Sequence, residues 1–329
     1  MLTDPFGRDI IYLRISLTDR CNMRCVYCMP ANGIRWTPPT ELLSDDQIVF
    51  IVKKAVSLGI RKIRLTGGEP LVRPGILDLV SRIATISGIQ DLSLTTNGLL
   101  LENMAELLAE AGLKCVNISL DTLDKDKFKR ITRSGNFERV WRGINAAERA
   151  GLAPLKLNAV IVRGVNSDEL PALARLTIEH PWHVRFIEIM PIGNTQEWGQ
   201  GFPAADTRYF SLQEMHSALE VLRMEPVPAL TINGTARTFR IPGALGSVGF
   251  ISPLGEHFCE NCNRLRLTAD GRLRSCLVIP SEVSLREAVQ RGEPLDEFFY
   301  QAVSNKPAQH DLLNSEPAGS QRGMSQIGG

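Results

Sequence analysis

Two things are missing from this 329-residue chain, an excess of charge and a long apolar run, and no leader segment is expected from its first residues. With 37 Lys+Arg against 36 Asp+Glu the net charge is +1, which excludes a generally basic nucleic-acid binder and an acidic solvating tail. Apolar runs such as 48–52 fall far short of the ~18–20 residues a membrane span needs. The start, 1–10, carries Asp4, Arg8 and Asp9 and has no basic stretch followed by an apolar one, so a cytoplasmic location is expected. No internal repeat or heptad pattern occurs. What remains, 43% hydrophobic and 22% charged, is the composition of a folded globular chain. Its length suits one large domain, or one of roughly 200 residues with a smaller companion.

The seven cysteines are not spaced as a disulfide framework. Cys21, Cys25 and Cys28 crowd near one end, Cys259, Cys262 and Cys276 lie near the other, and Cys115 stands alone at the start of an apolar strand.

Between the two triads the first part of the chain alternates strand and helix patterns. Strands are expected at 10–17, 63–66, 92–95, 116–121, 155–162 and 184–190, with helices such as 103–111, 137–150 and 168–179 between them. Ser44 reads as the N-cap of a further helix that Gly59 closes. Six β-α steps argue for a parallel sheet with helices outside, either open or partly closed into a barrel. After about residue 195 the rhythm changes. Asn233-Gly234 and Asp270-Gly271 are hairpin signals, short helices are expected at 285–290 and 295–303, and the end is rich in Ser, Gly and Gln. The expected division is therefore 1–195, 196–305 and a tail, 306–329.

A parallel strand covered on both faces is almost continuously apolar, and these strands are not. Leu13, Ile15 and Leu17 alternate with Tyr12, Arg14 and Ser16; Ile63 and Leu65 with Lys62, Arg64 and Thr66; Leu92 and Leu94 with Ser93 and Thr95. Val116, Ile118 and Leu120 alternate with Asn117, Ser119 and Asp121, and Leu155 and Leu157 with Lys156 and Asn158. With Arg185 the polar face offers five cations, Arg14, Lys62, Arg64, Lys156 and Arg185, against the single carboxylate Asp121. Buried unpaired cations are costly, so a cavity lined by this face calls for an anionic occupant, and a polyphosphate suits it. The alternative is that some of these strands are edges with one solvated face.

Cys21, Cys25 and Cys28 follow the first strand, where parallel α/β folds place their active sites. Three thiolates leave a zinc tetrahedron one ligand short, whereas on a cubane of four irons they leave one iron open to an exchangeable ligand. The C-x3-C-x2-C spacing, with Tyr27 before the last cysteine, is similar to that of the radical S-adenosylmethionine superfamily. Thr66-Gly67-Gly68-Glu69-Pro70 resembles that superfamily's GGEP motif. The second set is C-x2-C-x13-C, with His257 as the one nearby candidate for a fourth ligand, so a zinc ribbon remains an alternative. Arg264 and Arg266 alternate with Leu265 and Leu267 beside it, facing either solvent or a phosphate or nucleobase.

Taken together, 16–30 (SLTDRCNMRCVYCMP), Thr95-Thr96-Asn97-Gly98, 117–121 (NISLD), 258–266 (FCENCNRLR) and 324–329 (MSQIGG) resemble the molybdenum-cofactor biosynthesis protein A family, the GTP 3′,8-cyclases. The resemblance implies an incomplete (β/α)6 TIM-like barrel with a C-terminal α+β extension carrying a second iron–sulfur cluster. It implies a [4Fe-4S] cluster on Cys21, Cys25 and Cys28 that binds S-adenosylmethionine and yields a 5′-deoxyadenosyl radical, the cofactor being held by the backbone at Tyr27 with Gly68, Ser119 and Met190. A second [4Fe-4S] cluster on Cys259, Cys262 and Cys276 would receive the guanine of GTP. Arg14, Arg64, Thr95, Lys156, Arg264 and Arg266 match GTP-binding positions. The reaction would give (8S)-3′,8-cyclo-7,8-dihydroguanosine 5′-triphosphate, the first step of molybdenum cofactor (molybdopterin) biosynthesis. An external electron donor and a downstream cyclic pyranopterin monophosphate synthase would be its partners, and homodimerisation is in keeping with the family; nucleic acid and membrane are not expected. By composition Gly328-Gly329 is a frayed end, but the resemblance implies a tail that enters the active site and is essential there. The rival readings are a peptide-modifying maturase with two clusters, and a zinc-dependent binding protein. The stretch 197–248 is uninformative.

Overall fold

The first six strands turn most of their apolar residues to one side, which the helices cover; Val160 and Ile187 are exceptions that face the cavity. The computed structural model describes residues 1–192, 198–228, 236–256, 258–310 and 322–328. Its strands β1 (Tyr12–Ser16), β2 (Lys62–Thr66), β3 (Asp91–Thr96), β4 (Cys115–Ser119), β5 (Lys156–Ile161) and β6 (His183–Glu188) fall where the alternation predicts. Between them lie α1 (Asp45–Ser57), α2 (Ile76–Ala84), α3 (Ala105–Glu110), α4 (Lys125–Thr132) and α5 (Phe137–Arg149), with α6 (Leu170–Glu179) after β5. Ser44 Oγ accepts from Gln47 N at 3.2 Å while Gln47 Oε1 accepts from Ser44 N at 2.9 Å, a reciprocal cap that starts α1. Gly59, at φ 107°, follows its end in the left-handed region. The helix expected at 103–111 is shorter, a 3-10 turn at Leu101–Asn103 followed by α3. Likewise 168–179 opens with a 3-10 turn at Ser167–Glu169 before α6.

Leu13, Ile15, Ile63, Leu65, Leu94 and Val116 are fully buried from the strands, and Val52, Leu79, Ile83, Leu108 and Ile144 meet them from the helices. Burial of this kind, about 25 cal/mol per Å² of apolar surface, fixes the register and leaves the polar face pointing into the barrel.

The region after residue 195 adds α7 (Leu212–Ala218), β7 (Glu225–Pro226), β8 (Arg237–Arg240), β9 (Ser247–Ile251), β10 (Arg264–Leu267), β11 (Arg272–Arg274) and β12 (Glu282–Ser284). Then come α8 (Arg286–Arg291), α9 (Asp296–Ser304) and α10 (Met324–Ile327). Its strands join the same sheet at both edges, in the order β12-β11-β10-β1-β2-β3-β4-β5-β6-β9-β8-β7. β10 runs parallel to β1 and β9 parallel to β6, so the parallel part grows from six strands to eight. Among the described residues β9 and β10 are not paired with each other, and the barrel stays incomplete there. The expected Asp270-Gly271 turn joins β10 to β11, with Gly271 at φ 84° and its N–H donating to Thr268 O at 3.0 Å. The Asn233-Gly234 hairpin signal, His257 and Gly329 lie outside the described residues. No described helix is long and apolar enough to cross a membrane.

Candidate functional site

The barrel interior holds a cavity of about 330 Å³, and its wall is built from the polar strand faces. Arg14 is the register partner of Arg266 on one neighbouring strand and of Arg64 on the other. Residues at equal register in adjacent parallel strands share a face, so three guanidinium groups stand in a row. Lys62, Lys156, Arg185 and Arg264 line the same cavity. The electrostatics record the crowding. Burial, then Cys115 partly opposing it, then Arg185 and Arg64, bring Lys156 down to about 8. Burial and Arg64 bring Arg185 down to about 9. Burial and Arg264 bring Arg266 to about 10. The cavity wall resists its own positive charge until an anion enters.

The expectation of a single carboxylate is corrected: Asp91 and Glu188 line the cavity as well as Asp121. Glu188 and Asp121 are held by other partners, whereas Asp91, the register partner of Lys62, offsets part of the charge at Lys156. Glu188 accepts from Tyr209 Oη (2.8 Å), Leu212 N (2.9 Å) and Ser252 Oγ (2.8 Å). Asp121 accepts from Tyr27 Oη (2.6 Å) and Val160 N (2.9 Å). Asp91 sits at the very start of β3, where Cys115 Sγ is 3.9 Å away. Tyr12 Oη, Asn158 Oδ1, Arg185 Nε and Arg264 Nε are buried with no hydrogen-bond partner among the described residues. Such orphans are rare in native proteins, and together they fit a polar, anionic ligand. Tyr12, named in sequence only as part of a polar face, lies between Arg64 and Arg264, each 5.5 Å from its ring centroid.

Cys21, Cys25 and Cys28 stand at the C-terminal end of β1 and line the same cavity. Cys28 N donates to Cys25 O at 2.9 Å, closing the turn that gathers them. Burial, then Cys21 and Asp121, push Cys28 up to about 12, and burial, Cys28, Asp121 and Cys21 push Cys25 well up. Thiols pushed up in this way become thiolates only against a cationic centre, which fits an iron–sulfur cluster. Among the described residues no three His, Cys, Asp or Glu groups converge tightly enough for a single metal ion; a cubane instead takes each thiolate on a separate iron.

Beside this triad, Gly68 N donates to Thr18 O at 2.7 Å, and a Cβ on Gly68 would collide with the carbonyl oxygens of Asp19 (2.5 Å) and Arg20. Only glycine fits. Glu69 accepts from Thr96 Oγ1 (2.7 Å), Asn97 N (2.7 Å) and Leu71 N (3.1 Å), tying the Gly-Gly-Glu-Pro turn to the end of β3. Burial raises it to about 7 despite those bonds. Tyr27, Ser119, Met190 and Thr95 line the cavity too, and Thr95 Oγ1 accepts from Asn117 Nδ2 at 3.3 Å.

The second triad lies around β10 and the β10–β11 hairpin, and its own cysteines are not among the described residues that line the cavity. Phe258, Asn263 and Leu277, each adjacent to one of its cysteines, line the wall. Burial raises Cys259, and Cys262 and Cys276 add to it. At Cys262 burial is outweighed by Lys306 and Arg264, and the thiol is lowered. α10 follows, with Met324 and Ser325 lining the cavity and Gly328 O accepting from Arg266 Nη1 at 2.6 Å. Arg322 holds this segment through Asp270 (2.7 Å) and Glu282 (3.1 Å).

The chain matches the model of the radical SAM superfamily over residues 15–177 and that of Molybdenum Cofactor Synthesis C over 182–312. It is 49% identical to the GTP 3′,8-cyclase of Moorella thermoacetica over 334 residues, covering 100% of each chain. It is 49% identical to that of Pelotomaculum thermopropionicum over 333 residues, again 100% of each. The identity is 44% over 336 residues to that of Listeria monocytogenes, with 100% and 99% covered. Streptococcus suis SuiB superposes with a TM-score of 0.63 at 15% identity, over 89% of this chain and 67% of SuiB, a likeness of fold.

Proposed function

The chain belongs to the GTP 3′,8-cyclase family of radical S-adenosylmethionine enzymes, and from that premise we propose how its own residues share the reaction. It cyclises GTP to 3′,8-cyclo-7,8-dihydro-GTP in molybdenum cofactor biosynthesis, using S-adenosylmethionine and iron–sulfur clusters. The observation that supports the division of roles is the row of cations in one cavity that Cys21, Cys25 and Cys28 line and that Phe258, Asn263 and Leu277, the neighbours of the second triad, reach.

Cys21, Cys25 and Cys28 hold the first [4Fe-4S] cluster, and Cys259, Cys262 and Cys276 the second. When bound, S-adenosylmethionine at the first cluster supplies, on one-electron reduction, the radical that takes the ribose 3′ hydrogen. Gly68 leaves room for close backbone approach, while Ser119, Met190 and the backbone at Tyr27 hold the cofactor. Tyr27 Oη is engaged by Asp121, which fixes the ring beside the triad. Arg14, Arg64, Lys156 and Arg266, with Lys62 and Arg185, bind the triphosphate by charge-assisted hydrogen bonds. Arg264, between the rings of Tyr12 and Phe258 (5.5 and 5.7 Å), and Thr95 orient the nucleoside toward the second triad. The protein contributes orientation and exclusion of water, and the cofactor contributes the hard chemistry. The division at 1–195, 196–305 and 306–329 assigns the radical source to the barrel and the nucleobase anchor to the extension. An external electron donor, a cyclic pyranopterin monophosphate synthase as product acceptor, and homodimerisation complete the reading.

The test is an anaerobic assay of reconstituted enzyme with S-adenosylmethionine, a strong reductant and GTP. GTP-dependent 5′-deoxyadenosine with matching loss of GTP is the expected result. An equal rate with and without GTP would assign the site to another substrate, such as a peptide.

A pH dependence follows from Lys156. Its charge is held down to about 8 in the free protein, so it is present below that pH and lost above it. Affinity for GTP in equilibrium dialysis should fall roughly tenfold as pH rises from about 7 to 9, the loss of one charged contact. Lys156→Arg, which keeps its charge, should flatten the profile; an unchanged profile would remove Lys156 from the triphosphate site.

A further inference from the structure

Lys306, just beyond α9, is buried, and it takes no part in the cavity wall. Its ammonium has three N–H groups and three acceptors: Cys262 Sγ at 3.3 Å, Arg264 O at 2.9 Å and Ser275 O at 2.8 Å. Two of these are neutral carbonyls. Among the described residues no carboxylate forms an ion pair with it, and a buried cation left uncompensated is expensive. Among the described residues the negative charge it needs is on sulfur.

The long lysine side chain is also set in place. Lys306 N donates to Val303 O at 3.0 Å. Arg8, paired with Asp4, donates to Pro307 O (2.6 Å), Ala308 O (3.0 Å) and Cys259 O (2.7 Å). The same backbone clamp thus fixes the lysine and one cysteine loop, and the lysine reaches the residue before Cys276 as well as Cys262. Hydrogen bonds and charge at ligand sulfurs are among the levers that set an iron–sulfur potential.

We propose that Lys306 is a positioning residue for the second cysteine triad, whose ammonium donates to the Cys262 sulfur and makes the cluster held there easier to reduce. The inference rests on the reading of that triad as a cluster site. Adding one electron to the cluster adds one negative charge, and a fixed cation against a ligand sulfur stabilises that state. Without the cation the midpoint potential moves to more negative values.

The experiment is a mediated redox titration, followed by electron paramagnetic resonance, on full-length reconstituted enzyme and on Lys306→Met, Lys306→Gln and Lys306→Arg, with iron counted in each. The expected result is about eight irons per chain, with one midpoint moved negative in the Met and Gln variants, the other midpoint unmoved, and both near native in the Arg variant. If Lys306→Met alone fails to retain iron, the Gln and Arg variants decide. Two unmoved midpoints at full iron content would overturn the proposal. So would loss of half the iron from both uncharged variants, which would make the lysine an assembly residue. A native protein with about four irons would instead overturn the cluster reading of the second triad.

Discussion

Deleting Gly328 and Gly329 should leave the iron content of the protein unchanged and lower GTP turnover by about 100-fold or more. Gly328 O accepts from Arg266 Nη1 at 2.6 Å, so Gly328 touches the same guanidinium row that faces the substrate. Gly328 adopts φ 70°, and a Cβ there would meet Thr66 Oγ1 at 2.5 Å, so Gly328→Ala should reproduce much of the loss. The segment is delivered to this position by the Arg322 contacts with Asp270 and Glu282, which gives the β10–β11 hairpin a second task. The magnitude follows from orientation: displacing a reacting group by about 1 Å costs about two orders of magnitude. Both cysteine triads lie outside the deleted residues, and so does the packed core. Full turnover in the truncated protein, at full iron content, would show that the tail is dispensable.

Where local chemistry decides a feature, the sequence alone discloses it. Ser44 and Gly59 mark α1 because a side-chain cap and a left-handed residue are local requirements, and Asp270-Gly271 marks a turn for the same reason. The polar interior is legible because period two assigns Arg14, Arg64, Lys156 and Arg185 to one face before any packing is known. The two added parallel strands are not legible. Ser247–Ile251 and Arg264–Leu267 are ordinary short strands, and nothing within them states that they join β6 and β1. That choice is made by pairing between residues far apart in the chain. Tyr12 has the same history: its place between Arg64 and Arg264 depends on strands about 50 and 250 residues away in sequence. Asp91 was missed because it precedes the first apolar residue of its strand. Glu188 carries no local signal at all, since Tyr209, Leu212 and Ser252 that engage it come from the later region. Lys306 lies in a segment whose composition suggests only a tail.

Replacing Arg185 by Met should stabilise the ligand-free protein and cripple substrate binding, two effects of opposite sign from one cause. Burial brings Arg185 down to about 9, and Arg64 adds to it; its Nε has no hydrogen-bond partner among the described residues. Among the described residues no carboxylate forms an ion pair with it. A folded protein holding such a group is less stable than one with an apolar side chain of similar size, and exchanges of this kind gain about 1–4 kcal/mol. At this chain length the lower end corresponds to a rise of about 1.4 °C in thermal midpoint and the upper end to several degrees. The triphosphate reverses the sign, because it brings the missing anion to a guanidinium already held in place. A charged hydrogen bond lost to Met costs up to about 3 kcal/mol, which weakens GTP binding by roughly 100-fold. Differential scanning of both proteins with and without GTP reads both effects at once. GTP should raise the midpoint of the native protein well above that of the variant, so the two curves cross in rank when ligand is added. A variant that melts lower than native without GTP would mean that Arg185 is already compensated inside the protein. The cation row would then be a structural feature of the barrel, and its role in holding the anion would fall with it.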